Sequence, residues 1–160
     1  MPVYHLTIHA YRSWGADHHK GYVQRGRGIM PPDQSKADWH DRNAVDDPFE
    51  FDDEIQKLLV REMHAACGCY GWRLHGAGTD ITHLHVLLSW RDFVRYETAV
   101  QRIKGALSHK LGQVVGPPGR RWFSKGASER RVRDRKHFDH LIEEYFPGHP
   151  LSWREGLPLP

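Results

Sequence analysis

Residues Thr82 to Trp90 read Thr-His-Leu-His-Val-Leu-Leu-Ser-Trp, and this stretch restricts the fold more than any other. Side chains two apart on a strand point the same way, so His83 and His85 share one face while Leu84, Val86 and Leu88 share the other. A strand of this kind needs apolar cover on one side only. It predicts a sheet with helices against the leucine face and the histidine pair on an open face.

The rest of the chain supplies matching parts. Val3 to Tyr11 alternates, with Tyr4, Leu6 and Ile8 on one side, and predicts a first strand. Asp52 to Cys67 predicts a helix: Ile55, Leu58, Leu59, Met63 and Ala66 form one stripe, and Asp52, Asp53 and Glu54 suit the positive end of its dipole. Gly71 to Gly76 is a short strand candidate, separated from Ile81–Trp90 by the turn Gly78-Thr79-Asp80. Tyr96 to Val115 predicts a second helix on Tyr96, Val100, Ile103, Leu107 and Leu111, broken by Pro117-Pro118-Gly119. Arg121–Ser124 and Arg131–Arg133 are possible strand pieces. Asp134 suits the cap of a third helix carrying Phe138, Leu141, Ile142 and Tyr145, which Pro147-Gly148 must end or bend. Leu151 to Pro160 reads as a loosely packed extension.

The order is βαββαβ plus a C-terminal helix, which predicts a ferredoxin-like α+β sandwich with a four-stranded antiparallel sheet and its helices on one face. At 160 residues the chain fits a single domain, 1–160, interrupted by a long acidic loop at about 28–51. That region also holds room for a short strand at Gly21–Arg25. Two cysteines one residue apart, Cys67 and Cys69, cannot build a disulfide framework, and the start Met1-Pro2-Val3-Tyr4-His5 shows no secretory signal. Apolar runs are too short for a membrane span. These features predict a cytoplasmic protein.

Charge is unevenly placed. Asp38, Asp41, Asp46, Asp47, Glu50, Asp52, Asp53 and Glu54 face a single base, Arg42, between 38 and 54. Between 120 and 136 the balance reverses. Arg120, Arg121, Lys125, Arg130, Arg131, Arg133, Arg135 and Lys136 oppose Glu129 and Asp134, with Trp122 and Phe123 interleaved. Bases with aromatics suit a polyanion whose unpaired bases can stack, although a solvated loop has the same composition. Thirteen histidines are several times the usual share. Two imidazoles on one strand face can share a divalent ion held weakly, with positions open to phosphate oxygens and water. The same pattern also fits two histidines without a metal. A phenol near such an ion can attack a phosphate, and Tyr145 is available for this. Tyr145 equally fits the apolar stripe of its own helix.

Four segments in order carry a resemblance: Tyr4-His5-Leu6-Thr7, Asp80-Ile81-Thr82-His83-Leu84-His85-Val86-Leu87-Leu88, Ile103-Lys104-Gly105 and Leu141-Ile142-Glu143-Glu144-Tyr145. From Tyr4 to about Trp153 the chain resembles the single-tyrosine HUH transposases, of the insertion sequence 200 type and the REP-associated tyrosine type. The resemblance implies that His83 and His85 hold Mg²⁺ or Mn²⁺ and that His149, four residues after the tyrosine, completes the metal shell. It implies that Tyr145 attacks single-stranded DNA beside a hairpin, leaving a 5′-phosphotyrosine and a free 3′-hydroxyl. Arg120, Arg121, Trp122, Lys125, Arg130, Arg131, Arg133 and Lys104 are the candidate DNA contacts, and the nucleoid is the implied location. Members of the family include homodimers that exchange the tyrosine helix and REP-associated monomers. The long acidic loop departs from the minimal member, and the few residues after Tyr145 predict no target-selecting domain. Two other readings share these residues: a non-catalytic RRM-like nucleic-acid-binding protein derived from such a transposase, and a metal-dependent hydrolase of small phosphates. The cysteines are expected to have no role.

Overall fold

The computed structural model describes residues 1–24, 27–91 and 93–160. Among them a five-stranded antiparallel sheet is built from β1 (Val3–His9), β4 (Arg73–Thr79), β5 (His83–Ser89), β6 (Ser128–Arg131) and β7 (Leu151–Arg154). A separate hairpin joins β2 (Tyr22–Gln24) to β3 (Gly28–Met30). The helices are α1 (Gln34–Arg42), α2 (Asp53–Cys69), α3 (Tyr96–Val114) and α4 (Arg135–His140). The fold is α+β. Spatial order in the sheet is β6-β1-β5-β4-β7, so its first four members have the ferredoxin-like arrangement and β7 is added at the β4 edge.

Both long helices cover the leucine face. Asp52 caps α2 by accepting the N–H of Ile55, and Leu59, Val60, Met63 and Cys67 turn inward. From α3, Ala99, Val100, Ile103, Leu107 and Leu111 do the same. They meet Leu6 and Ile8 of β1, Leu84, Val86 and Leu88 of β5, and Leu74 and Ala77 of β4 in one core. Helix α2 runs two residues beyond the expected end, to Cys69, because Gly68 stays helical and the chain turns at Gly71, where φ is +67°.

Four expectations are corrected. The region 28–51 is not one loop. It holds β3 and α1, with Asp33 capping α1 through the N–H of Lys36, and its last part is pinned down. Phe49 and Phe51 are buried; their N–H groups donate to the Tyr11 and Ile81 carbonyls. Of the expected strand at Gly21–Arg25, Tyr22–Gln24 forms and Arg25 lies outside the described residues. The pieces at 121–124 and 131–133 are instead one strand at Ser128–Arg131, with Phe123 making an isolated bridge to Ala10. The tail is not loose: β7 pairs with β4 and buries Trp153 in the main core. Finally, the histidine face is not open. The C-terminal helix crosses it, and Leu87, Leu141 and Phe146 form a second apolar cluster there. Among the described residues, no helix is long and apolar enough to cross a membrane.

Candidate active site

The antiparallel register places Thr7 opposite His85, His9 opposite His83 and His5 opposite Leu87. Opposed residues share a face, so two strands contribute His5, Thr7, His9, His83 and His85 to one surface. The His83 and His85 rings lie 5.7 Å apart with planes 9° from parallel, and the His9 ring meets His83 edge-on at 4.3 Å.

The end of the chain reaches this surface through a change of helix type. After His140, α4 continues as a π turn (Leu141–Tyr145) and then a 3₁₀ turn (Phe146–Gly148). A π turn carries one residue more than an α turn and re-aims the side chains that follow. The segment sits close because β4 has glycines beneath it. A methyl group at Gly78 would lie 3.0 Å from His149 Nδ1, and one at Gly76 would lie 2.8 Å from Ile142 Cδ1. The Tyr145 hydroxyl then lies 3.4 Å from Nδ1 and 3.5 Å from Nε2 of His85, close contact but long for a strong hydrogen bond. Tyr145 and His85 belong to the same chain, so this meeting needs no exchange between subunits.

His149 is brought there too, despite Pro147 and Gly148. Its ring centre is 4.8 Å from that of His85. Its Nδ1 donates to the carbonyls of Tyr145 (3.0 Å) and Phe146 (3.3 Å). Carbonyls only accept, so Nδ1 carries a proton. His83 is set similarly. Asp80 Oδ1 accepts the N–H groups of Thr82 and His83, both at 2.7 Å, and the Thr82 hydroxyl, and it lies 3.4 Å from His83 Nδ1. Burial alone would push the Asp80 carboxyl up; the donors from Thr82 and His83 outweigh it and hold it below its ordinary value. A carboxylate behind Nδ1 leaves Nε2 as the donor atom for a cation. Thr7 Oγ1 touches His85 Nδ1 at 3.0 Å.

Burial keeps His85, His5 and His9 neutral. It pushes His85 down to about 3, with His149, His5 and His83 adding, and His5 and His9 down to about 4. A neutral imidazole is the form that ligates. The donors fit an ion held loosely by His83 and His85. They do not close a cage: among the described residues no three His, Cys, Asp or Glu side chains stand close enough to hold one ion together. Burial also pushes the Tyr145 phenol up, and the nearby Arg130 guanidinium opposes this. Arg130 and Tyr145 line one cleft of about 320 Å³ with His5, Thr7, His137 and His140.

The expected DNA contacts separate into two sets. Arg130, Arg131 and Arg133 border a groove with Lys136, and Lys125 is exposed on the loop before β6. The others have internal work. Trp122 is 1% exposed, a core ring that no base can reach. Arg120 lies over Phe49 and Trp122 and donates to the Asp47 and Pro48 carbonyls, while the Arg121 N–H donates to Asp46. The acidic stretch and the first part of the basic stretch thus hold each other. Lys104 donates to the carbonyls of Ser124 and Gly126 and is pushed down to about 8 by burial.

His5, Thr7 and His9 were not singled out from sequence, although the alternation that puts Leu6 and Ile8 inward puts these three on the other face. A hydrolytic constellation also turns up: Ser89 Oγ is 2.8 Å from His75 Nε2, and Glu155 is 3.7 Å from Nδ1. Ser89 is fully buried, so no ester reaches it and the group is structural.

No protein-family profile matches the chain, and no curated protein matches it. Among solved structures, a REP-associated tyrosine transposase bound to a REP hairpin is similar at 8% identity and a TM-score of 0.48. The similarity covers 87% of this chain and 61% of that one, so this chain spans less than two thirds of its length. At that level the likeness assigns no residue a role.

Proposed function

We propose that this chain, working as one domain, is a DNA strand transferase that nicks and rejoins single-stranded DNA through a covalent link to Tyr145. One observation carries the reading: a phenol delivered from the far end of the chain lies 3.4 Å from the second histidine of a paired imidazole set. The sequence resemblance implies a divalent ion, Mg²⁺ or Mn²⁺, on His83 and His85, with His149 beside them and the remaining positions left to water and phosphate oxygens. When bound, the ion would draw charge from phosphate oxygens.

The chain's own residues account for the rest. Tyr145 is half-buried, and Arg130 is the cation that favours its phenolate. The phenolic oxygen forms a bond to phosphorus and the bond to the 3′-oxygen breaks. A 5′-phosphotyrosine results, and the phenol's proton, relayed through solvent in the cleft, ends on the leaving 3′-oxygen to give a free 3′-hydroxyl. Attack by a 3′-hydroxyl on that linkage reverses the exchange and returns the phenol. One phosphodiester replaces another, so no external energy source is required. The hairpin beside the nick rests on the sequence resemblance alone.

The test is a covalent adduct. Wild-type protein incubated with single strands flanking varied hairpins, in Mn²⁺, should give an SDS-resistant protein–DNA band. Chelator and Tyr145→Phe should each remove it, while Tyr145→Phe retains hairpin binding. Binding without any adduct across the whole set would favour the non-catalytic RRM-like reading. Hydrolysis of small phosphate esters by Tyr145→Phe, without oligonucleotide, would favour the hydrolase.

A further inference from the structure

The cleft at Tyr145 does not end at the phenol. It opens past Arg130, His137 and His140 into a larger groove of about 880 Å³ that Arg131, Arg133 and Lys136 border. Among the described residues, Arg130, Arg131, Arg133 and Lys136 have no carboxylate partner within ion-pair distance. Of the nearby acids whose side chains are described, Asp134 caps α4 through the N–H of His137, Asp139 pairs with Arg135, and Glu144 accepts from His140 Nδ1 at 3.1 Å. His137 is oriented by its own backbone. The N–H of Arg133 points at His137 Nδ1 at 3.4 Å, which makes Nδ1 the acceptor and leaves the ring proton on Nε2. The corner between β6 and α4 therefore offers an exposed guanidinium beside the phenol and an oriented N–H donor, with further bases on the exit side.

We infer that Arg130 and His137 form a subsite for a second backbone phosphate of the DNA strand, next to the one that Tyr145 attacks, so that the strand leaves the phenol across the β6–α4 corner. This deepens the strand-transfer reading and rests on it for the neighbouring position; the groove itself is described without reference to catalysis. A strand held at two phosphates has its direction fixed at the phenol, which a single contact cannot do. The ligand chemistry, a phosphate diester or a free phosphate anion, is shared by two sources, and the strand is the one proposed because the groove continues beyond one phosphate's size with exposed bases along it.

The experiment measures affinity for a labelled thymidine oligonucleotide across a salt series, which works whether or not an adduct forms. Arg130→Gln should weaken binding roughly tenfold, the size of one charge-assisted hydrogen bond. It should also flatten the slope of log affinity against log salt by about 0.7, one single-strand phosphate. His137→Phe should weaken binding with the slope unchanged. Arg61→Gln, on α2 away from the groove, should alter neither. On any strand that Tyr145 captures, a neutral methylphosphonate beside the attacked phosphate should cost wild type the same factor and cost Arg130→Gln nothing. Unchanged affinity and slope in Arg130→Gln, with an unchanged melting curve, would overturn the subsite while leaving the adduct result standing. So would millimolar inorganic phosphate binding that depends on Arg130 when oligonucleotide binding does not, which would make this a free-anion site.

Discussion

His83 and His85 have neighbours that make their replacement informative in different ways. His83 is partly exposed and braced by Asp80 and Thr82. His85 is buried between Thr7, Tyr145 and His149. Alanine at either position should abolish the adduct and leave hairpin affinity within a few-fold; for His85→Ala the thermal midpoint should also fall, since a buried ring leaves a cavity. Loss of folding in His83→Ala would make that residue structural. The pair was legible from alternation on one strand. The place of Arg130 in the cleft of Tyr145 was not, because a run of bases does not say which one lines that cleft, and Trp122 looked like a stacking ring because burial across a loop leaves no periodic trace. The two cysteines differ in their access to solvent. Cys67 is buried with its thiol pushed up to about 12, and Cys69 is exposed. A disulfide exchange reagent should label one thiol in native protein and two in denaturant; two fast thiols in the native state would contradict the burial.

At the level of elements, the decisive piece is the passage from α4 through a π turn to a 3₁₀ turn. Its cap at Asp134 and the punctuation at Pro147-Gly148 are legible in the residues, but the extra residue in the turn is not, because it depends on packing over β4. Gly78 is where that dependence can be read. Its Cβ would stand 3.0 Å from His149 Nδ1 and 3.3 Å from Phe146 Cδ1, so Gly78→Ala should displace the C-terminal segment by tenths of an ångström. Overpacking of this size costs about 1–3 kcal/mol, visible as a lower urea midpoint. The adduct should form more slowly than that loss explains, measured where the variant is still fully folded. An unchanged rate would mean the segment does not position the phenol. Strand β7 was unreadable for a related reason. Four residues set between Pro150 and the Gly156–Pro160 end carry too little alternation, and their partner is an edge that exists only once β4 is in place. Lys104 shows the same limit, as its ammonium holds the carbonyls that lead into β6 instead of reaching a ligand. Lys104→Met should cost about 1–3 kcal/mol of stability, since a part-buried carbonyl and an exposed one lose a charged donor. A stability equal to wild type would release Lys104 for another role.

The whole molecule has one face built for stability and one that works against it in acid. The leucine face of the sheet closes on α2 and α3, and its cost and benefit hardly change with pH. On the other face His5, His9 and His85 are held near 4, 4 and 3, against an ordinary 6.5 in the unfolded chain. Among the described residues, buried His5 Nε2 and His9 Nδ1 have no hydrogen-bond partner, and burial outweighs the Asp80 carboxylate that favours protonation of His9 and His85. Above pH 6.5 these rings are neutral in both states and contribute no pH dependence. Below it the unfolded chain takes up protons that the folded chain refuses, so stability falls as pH drops from 6.5 and levels off only below about 3 to 4. With three such sites the slope approaches about 4 kcal/mol per pH unit, enough to exhaust a typical domain's stability within a few units. Urea midpoints of chelator-treated protein at several pH values between 7.5 and 5 should show this fall. His9→Gln, which removes one of the titrating rings, should reduce the slope by about one proton's worth. An equal slope in His9→Gln would mean that His9 takes its proton as readily folded as unfolded, and the crowded imidazole surface would then be wetter than its geometry indicates.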